Sequence, residues 1–273
     1  MFAGILQGMT EFLPVSSSGH LVIYAALFGE ESQGNLAFTV FLHFATLLSV
    51  FIVYYRDVIS LIREFFAAVS DIIKGRPKNN SPERRFLIMV IIGTIPVGVV
   101  GILVKLTGSD SVLENVFVVG FMLIVTAVFM FFADRFNSGK YDETNAPYKA
   151  SLLVGILQAV AILPGLSRSG STIFGGLLGG FSKEFAVRYA FILSIPAVLG
   201  AGLVEFADVI KEGQFYVEPF NMLIGFVAAA ISGIIAITFI KMLAKSNKFY
   251  MFGIYSLFAS ACAFLVGFGV IKF

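Results

Sequence analysis

The chain has 273 residues, 58% of them hydrophobic and only 13% charged, with 31 phenylalanines, 27 glycines and no tryptophan. Soluble domains carry about 25% charged and about 45–50% apolar residues, so a water-facing globule is excluded, and so is a disordered chain, which needs low hydrophobicity. The formal net charge of +2 gives no basic patch for nucleic acid, and the single cysteine, Cys262, cannot form an intrachain disulfide. The composition is that of an all-α polytopic membrane protein.

In chain order, the first apolar stretch, Phe2–Phe12, is too short to cross a bilayer, which takes about 20 residues. No Lys or Arg precedes it, so no cleavable signal peptide is expected. It is broken by Leu13-Pro14-Val15-Ser16-Ser17-Ser18-Gly19-His20 and resumes as Leu21–Phe28. This reads as a re-entrant hairpin with a polar loop at membrane depth, where irregular backbone must be buried in protein or line a wet cavity. Leu36–Tyr55 is long enough to span. Val58–Lys74, with Arg63, Glu64 and Asp71 interrupting apolar pairs, is expected to be an amphipathic helix on the membrane surface. A loop over Lys74–Arg85 follows, and Ser81-Pro82-Glu83 is expected to start the next helix.

Phe86–Val104 and Val116–Ala133 are the next two spans. Ala150–Leu163 repeats the hairpin pattern: it is interrupted by Pro164-Gly165-Leu166-Ser167-Arg168-Ser169-Gly170-Ser171-Thr172 and resumes as Ile173–Gly180. Phe185–Val204, Phe220–Ile240 and Phe249–Ile271 complete six spans. The hairpins are copies: Gly4-Ile5-Leu6-Gln7 recurs as Gly155-Ile156-Leu157-Gln158, Leu13-Pro14 as Leu163-Pro164, and Ser16-x-Ser18-Gly19 as Ser167-x-Ser169-Gly170. Each half is therefore a hairpin plus three spans, repeat one over about 1–133 and repeat two over about 150–273, within one integral membrane domain. Three spans are odd in number, so the halves enter from opposite sides, as inverted-topology repeats do. Fourteen of the 19 Lys and Arg residues fall on one side, including residues 56–85. That side is expected to be cytoplasmic, with the first hairpin opening outward.

Five ionisable residues lie at membrane depth: Glu11, His20, His43, Arg168 and Arg188. Such residues are costly there and mark function by default. Facing hairpins would bring Glu11 and His20 near Arg168, together with the hydroxyls of Ser16, Ser17, Ser18, Ser167, Ser169 and Thr172. The guanidinium fork suits a phosphate or carboxylate. Gly165 and Gly170 allow close backbone approach, and a half-helix starting near Thr172 would aim its amides at an anion. Most of these hydroxyls are expected to bond loop backbone or cap the half-helices, leaving Ser17 as the one that is a candidate for a chemical role. His43 is expected to be a packing residue, and Arg188, one turn after Glu184, to snorkel to the cytoplasmic surface. An anion clamp beside an acid, a histidine and hydroxyls suits phosphoryl transfer.

The run Gln7–His20 resembles the first signature of the bacterial undecaprenyl-diphosphatase (bacitracin-resistance) family, and Pro164–Thr172 resembles its second; length and topology fit along the whole chain. The resemblance implies a membrane hydrolase that removes the terminal phosphate of undecaprenyl diphosphate, with an outward active site in the bacterial cell membrane, a divalent cation (Mg²⁺ or Ca²⁺) and a homodimer. Arg168 with Ser16, Ser167, Ser169, Gly170 and Thr172 would bind phosphate. Glu11 and Gln7 would hold the cation, and His20 or Ser17 would act as acid, base or nucleophile. The family's first motif has Glu or Gln, three residues, then Glu; here the first position is Gln7, which cannot ionise. Only six residues precede it, so the first half-helix is expected to be about 10 Å shorter than usual. A lipid flippase on the same repeat is the competing reading. Ser17-Ser18-Gly19-His20 also resembles the central motif of vanadium-haloperoxidase-type lipid phosphatases. That type's Lys-x6-Arg-Pro does not precede it, and no His follows Arg168 at the required spacing.

Overall fold

A computed structural model describes residues 1–28, 36–76, 81–107, 115–136, 139–212 and 218–271. Eleven α-helices run through them. Repeat one contains α1 (Phe2–Phe12), α2 (Ser17–Phe28), α3 (Leu36–Val53), α4 (Tyr55–Ile73), α5 (Pro82–Thr107) and α6 (Val116–Ala133). Repeat two contains α7 (Tyr148–Val160), α8 (Arg168–Leu178), α9 (Lys183–Glu212), α10 (Pro219–Ala244) and α11 (Tyr250–Gly267).

Five helices, α5, α6, α9, α10 and α11, are long and apolar enough to span, and a sixth is reached when α3 and α4, bent by 92° at residue 54, are counted together as one broken span. The bend lays the amphipathic helix across the end of the bundle. One of its faces carries Ile59, Ile62, Phe65, Phe66, Ile72 and Ile73, all exposed, as a helix lying in a bilayer interface requires. The helix starts at Tyr55, three residues before the expected boundary. Ser81 starts α5 as its sequence suggests, its hydroxyl accepting from the Arg84 amide at 3.2 Å. Residues 77–80 of the connecting loop lie outside the described residues.

The packing is reciprocal between halves. Helix α1 lies on α10 of the other repeat, and α7 lies on α5; α3 meets α9, and α6 meets α11. Small residues make the exchange possible. The buried stripe of α1 is Gly4, Gln7, Gly8, Glu11 and Phe12, spaced for one helical face. A Cβ on Gly4 would lie 2.3 Å from the Gly225 carbonyl oxygen, and one on Gly155 would lie 2.4 Å from that of Gly93. Each hairpin is thus clamped, backbone to backbone, by the other half. An apolar core of Phe12, Tyr54, Met89, Ile173, Phe181, Tyr189 and Phe191, among others, fills the space below the hairpin tips.

The helices return from the hairpin tips earlier than their sequence suggests. Helix α2 begins at Ser17 rather than Leu21, and α8 at Arg168 rather than Ile173. The reason is local capping: the Ser16 hydroxyl accepts from the Gly19 amide at 3.2 Å, and the Ser167 hydroxyl from the Gly170 amide at 3.2 Å. The polar residues after each cap sit in a first helical turn, not in an extended loop. Arg188 does not reach outward. It is held between Asp57 and Glu143, the latter at 3.0 Å, with Phe86 under its guanidinium. Two carboxylates at the bundle end offer that guanidinium a partner that snorkelling would forgo.

Candidate active site

The two hairpin tips meet. A Cβ on Gly19 would lie 3.0 Å from Gly165, and one on Gly170 would lie 3.2 Å from Pro14, so each first turn touches the other loop. The repeat offset makes Ser17 and Arg168 equivalent positions, one in each tip. Their neighbours repeat as well: Ser16 and Ser18 hydroxyls lie 3.4 Å apart, and those of Ser167 and Ser169 lie 3.1 Å apart.

Glu11 links the halves. It comes from the last turn of α1, its side chain only 4% exposed, and is ion-paired with the Arg168 guanidinium. The other carboxylate oxygen accepts from Gln7 Nε2 at 3.1 Å and faces the Ser17 hydroxyl at 3.4 Å. A buried charge stays ionised only when paired and hydrogen-bonded, and here three donors converge on one carboxylate. Arg168 is 28% exposed, so part of the guanidinium remains open to the cavity beside it.

That cavity measures about 230 Å³ and is lined by Thr10, Glu11, Ser16, Ser17 and Ser18 from the first hairpin and by Gln158, Ile162, Ser167 and Arg168 from the second. Helix α9 closes it with Ala197, Ala201 and Glu205, and α3 contributes His43. A second, mostly apolar groove of about 440 Å³ runs alongside, walled by Phe2, Leu6, Leu21, Tyr24, Leu27, Phe38 and Leu42. Thr10 and Ser17 line both.

Several expected site residues stand elsewhere. His20 lines the apolar groove, not the polar cavity. Its Nδ1–H donates to the Ser16 carbonyl at 2.7 Å, and its Nε2 accepts from the Tyr255 hydroxyl at 2.7 Å, with the two rings stacked. Those partners define the tautomer. They also hold Ser16, a non-glycine residue at φ +65°, in the left-handed region that such residues rarely enter.

Ser169, Gly170 and Thr172 also lie off the cavity, because the helix has already begun at Arg168. The Ser169 hydroxyl donates to the Leu13 carbonyl at 3.2 Å, the Gly170 amide is taken by the Ser167 cap, and the Thr172 hydroxyl turns back to the Arg168 carbonyl at 2.9 Å. These groups bind the tips together. Of the expected phosphate ligands, Arg168, Ser167 and Ser16 line the cavity.

Three residues escaped the sequence reading, and a fourth, His43, is expected from it only to pack. Thr126 of α6 donates to the Gly165 carbonyl and accepts from the Ser167 amide, both at 3.0 Å. It thereby fixes a turn whose glycine sits at φ +92°, where a Cβ would lie 2.5 Å from the Val119 carbonyl oxygen. Gln158, the repeat partner of Gln7, lines the cavity, and neither of its amide atoms has a partner among the described residues. The repeat itself signalled that residue. His43 lines the cavity instead of only packing its helix. Glu205 faces it at 4.0 Å.

Among the described residues no group of three or more His, Cys, Asp or Glu could hold a metal, and the Glu11 carboxylate is already engaged. Mg²⁺ characteristically binds through one or two carboxylates plus substrate phosphates, so the residues fit a cation that arrives with a phosphorylated ligand.

Fold and site together define a polytopic α-helical membrane protein with a polar, arginine-lined cavity between interlocked repeats. A family model described as "Bacitracin resistance protein BacA" matches residues 1–262, and the chain belongs to that family. Relatives called undecaprenyl-diphosphatase include one from Methanobrevibacter smithii, 43% identical over 255 residues (92% of this chain, 91% of the relative). One from Methanosphaera stadtmanae is 39% identical over 257 residues (92% and 91%), and one from Alkaliphilus metalliredigens 38% identical over 254 residues (93% and 92%).

Proposed function

We propose that the protein hydrolyses the terminal phosphate of undecaprenyl diphosphate, giving undecaprenyl phosphate and inorganic phosphate, and so recycles the lipid carrier for cell-wall synthesis and confers bacitracin resistance. One observation carries this reading: a polar cavity with an open guanidinium joins an apolar groove through Thr10 and Ser17. The shape suits an amphiphile whose charged head enters one compartment while its isoprenoid tail lies in the other.

In this reading Arg168 grips the diphosphate in two-pronged fashion and stabilises the charge that develops during transfer. The Ser167 and Ser16 hydroxyls add donors. Ser17 stands where head and tail compartments meet. Its Oγ attacks the terminal phosphorus while its proton passes to Glu11, and the bridging P–O bond breaks with its electron pair leaving on the prenyl monophosphate. Water then cleaves the phosphoserine to release inorganic phosphate. Direct attack by water needs the same clamp. His20 holds the Ser16 carbonyl and thereby the register of Ser17. A divalent cation, Mg²⁺ or Ca²⁺, would be carried by the diphosphate with Glu11 and the Gln7 amide oxygen as protein ligands, and would supply charge neutralisation. The cavity opens on the outer face of the bacterial cell membrane, in keeping with the distribution of Lys and Arg. A homodimer belongs to the same proposal.

Purified protein in detergent should release phosphate from a polyprenyl diphosphate and lose that activity with chelator. A flippase, which the inverted repeat also suits, releases none. Rapid quenching with a labelled terminal phosphate should leave label on Ser17; label on His20 transfers the nucleophile's role, and no label favours water. In a Cys262→Ser background, Ser17→Cys should react with an impermeant thiol reagent added outside intact cells; protection there, with reaction in inverted vesicles, refutes the orientation.

A further inference from the structure

The chain has two histidines, and the one on the wall of the polar cavity, His43, lies outside both hairpins. We propose that His43, as an imidazolium oriented by Glu205, is a second ligand of the terminal phosphate, set across the cavity from Arg168. The inference rests on the cavity being the phosphate site and adds a residue that no hairpin motif contains.

Placement is the first argument. Helices α3 and α9, corresponding elements of the two repeats, pack on each other and each carries one ionisable group into the cavity. Both lie in apolar spans, between Leu42 and Phe44 and between Val204 and Phe206 in sequence, where an ionisable side chain is costly and is retained for a partner or a function. They are partners only loosely. Nδ1 of His43 stands 4.0 Å from the Glu205 carboxylate, beyond hydrogen-bonding reach, with the side chains 27% and 39% exposed. A structural brace would close that gap and bury both groups. This pair stands open on the cavity wall, its Nδ1 toward Glu205 and no hydrogen bond between them.

Charge is the second argument. Glu11 already offsets Arg168. With His43 neutral, Glu205 leaves the cavity lining net negative, which opposes the negative charge that a diphosphate keeps beyond what its cation offsets. Protonation of His43 cancels Glu205 and gives the ring two N–H donors, one for the carboxylate and one for a phosphate oxygen. Among the described residues no other charged group competes: α1 contributes Glu11, the second hairpin tip contributes Arg168, and neither α4 nor α10, which also pack on α3, adds a titratable side chain to the cavity. Phosphate binding and proton uptake by His43 therefore favour each other.

The test is the pH dependence of phosphate release from a polyprenyl diphosphate by purified enzyme in detergent, with His43→Leu, His43→Gln, Glu205→Gln and, as a control on the site, Arg168→Lys. A hydrogen bond between charged groups corresponds to roughly a 10- to 100-fold change in affinity. His43→Leu should raise KM by that factor while kcat changes little. His43→Gln keeps a neutral donor, so its KM should be intermediate and flat between pH 5.5 and 8, whereas the native KM should climb with pH. Glu205→Gln should shift the native climb to lower pH. Native KM that is flat with pH, or a His43→Leu loss confined to kcat, overturns the proposal. The same holds if His43→Leu and His43→Gln leave KM unchanged while Arg168→Lys is inactive. Full activity in Arg168→Lys refutes the site itself. Should His43→Leu fail to fold, the flat profile of His43→Gln decides alone.

Discussion

Replacing Glu11 by Gln keeps the shape of a side chain on which three donors converge and removes the charge that draws them. The native carboxylate accepts from Arg168 on one oxygen and from Gln7, at 3.1 Å, on the other, with the Ser17 hydroxyl at 3.4 Å. The new amide has a single acceptor oxygen, so its NH₂ must face another donor. Removing one partner of a buried ion pair costs about 3–5 kcal/mol, because the other charge stays behind uncompensated. Arg168, 28% exposed to a wet cavity, recovers some hydration, which places the loss at about 3 kcal/mol. The Arg168→Gln variant should lose a similar amount, and the double variant much less than the sum, since neither orphan remains. The measurement is a double-mutant cycle on unfolding free energy in detergent, with phosphate release followed in parallel. Single losses that add to within about 0.5 kcal/mol would show that the two residues do not share an interaction, and the account of a carboxylate tying the hairpins together would fail.

Other consequences are equally measurable. Gly155→Ala should destabilise the protein by about 1–3 kcal/mol, because its Cβ would meet the Gly93 backbone at 2.4 Å; Gly98→Ala, with nothing within 4 Å, should be neutral in the same thermal assay. Equal midpoints for the two variants would refute backbone-to-backbone clamping. Thr126→Val strips the second tip of two hydrogen bonds at once, each worth about 1 kcal/mol or more where burial leaves the backbone group unpaired. Phosphate release should fall by more than the loss of folded protein, as a displaced Ser167–Arg168 turn spoils alignment; activity that tracks folded fraction would make Thr126 a purely structural residue.

The scarcity of charge made the hairpins legible. In a chain so poor in ionisable groups, Glu11 and Arg168 stood out, and the repeated Gly-Ile-Leu-Gln and Ser-x-Ser-Gly runs tied their surroundings together before any coordinates. The limits of the tips were less legible, since a serine that caps a helix and one that lies in a loop look alike in sequence. Capping by Ser16 and Ser167 moved both helix starts forward and took Ser169, Gly170 and Thr172 away from the cavity. His20 was misplaced for a related reason: once α2 begins at Ser17, residue 20 turns toward Tyr255, 235 positions later. Thr126 and Glu205 could not be singled out, and His43, conspicuous at membrane depth, reads from sequence as a packing residue. Each is one polar residue in an apolar span, and only the packing of α6, α3 and α9 brings them to the hairpins.

The mutual embrace of the halves bears on how such a centre could arise. A single ancestral repeat would have to insert in both orientations and pair with an inverted copy of itself, and each change in its tip would then appear twice. Fusion into one chain removes that constraint. Here Ser17 faces an equivalent Arg168, and the place that holds Glu11 in one half holds Ile162 in the other. A pair of identical subunits would carry each of these groups twice or not at all, so one arginine opposite one carboxylate and one serine could not arise. Covalent duplication lets one half place a guanidinium where the other places a hydroxyl, and a carboxylate where the other places an aliphatic side chain.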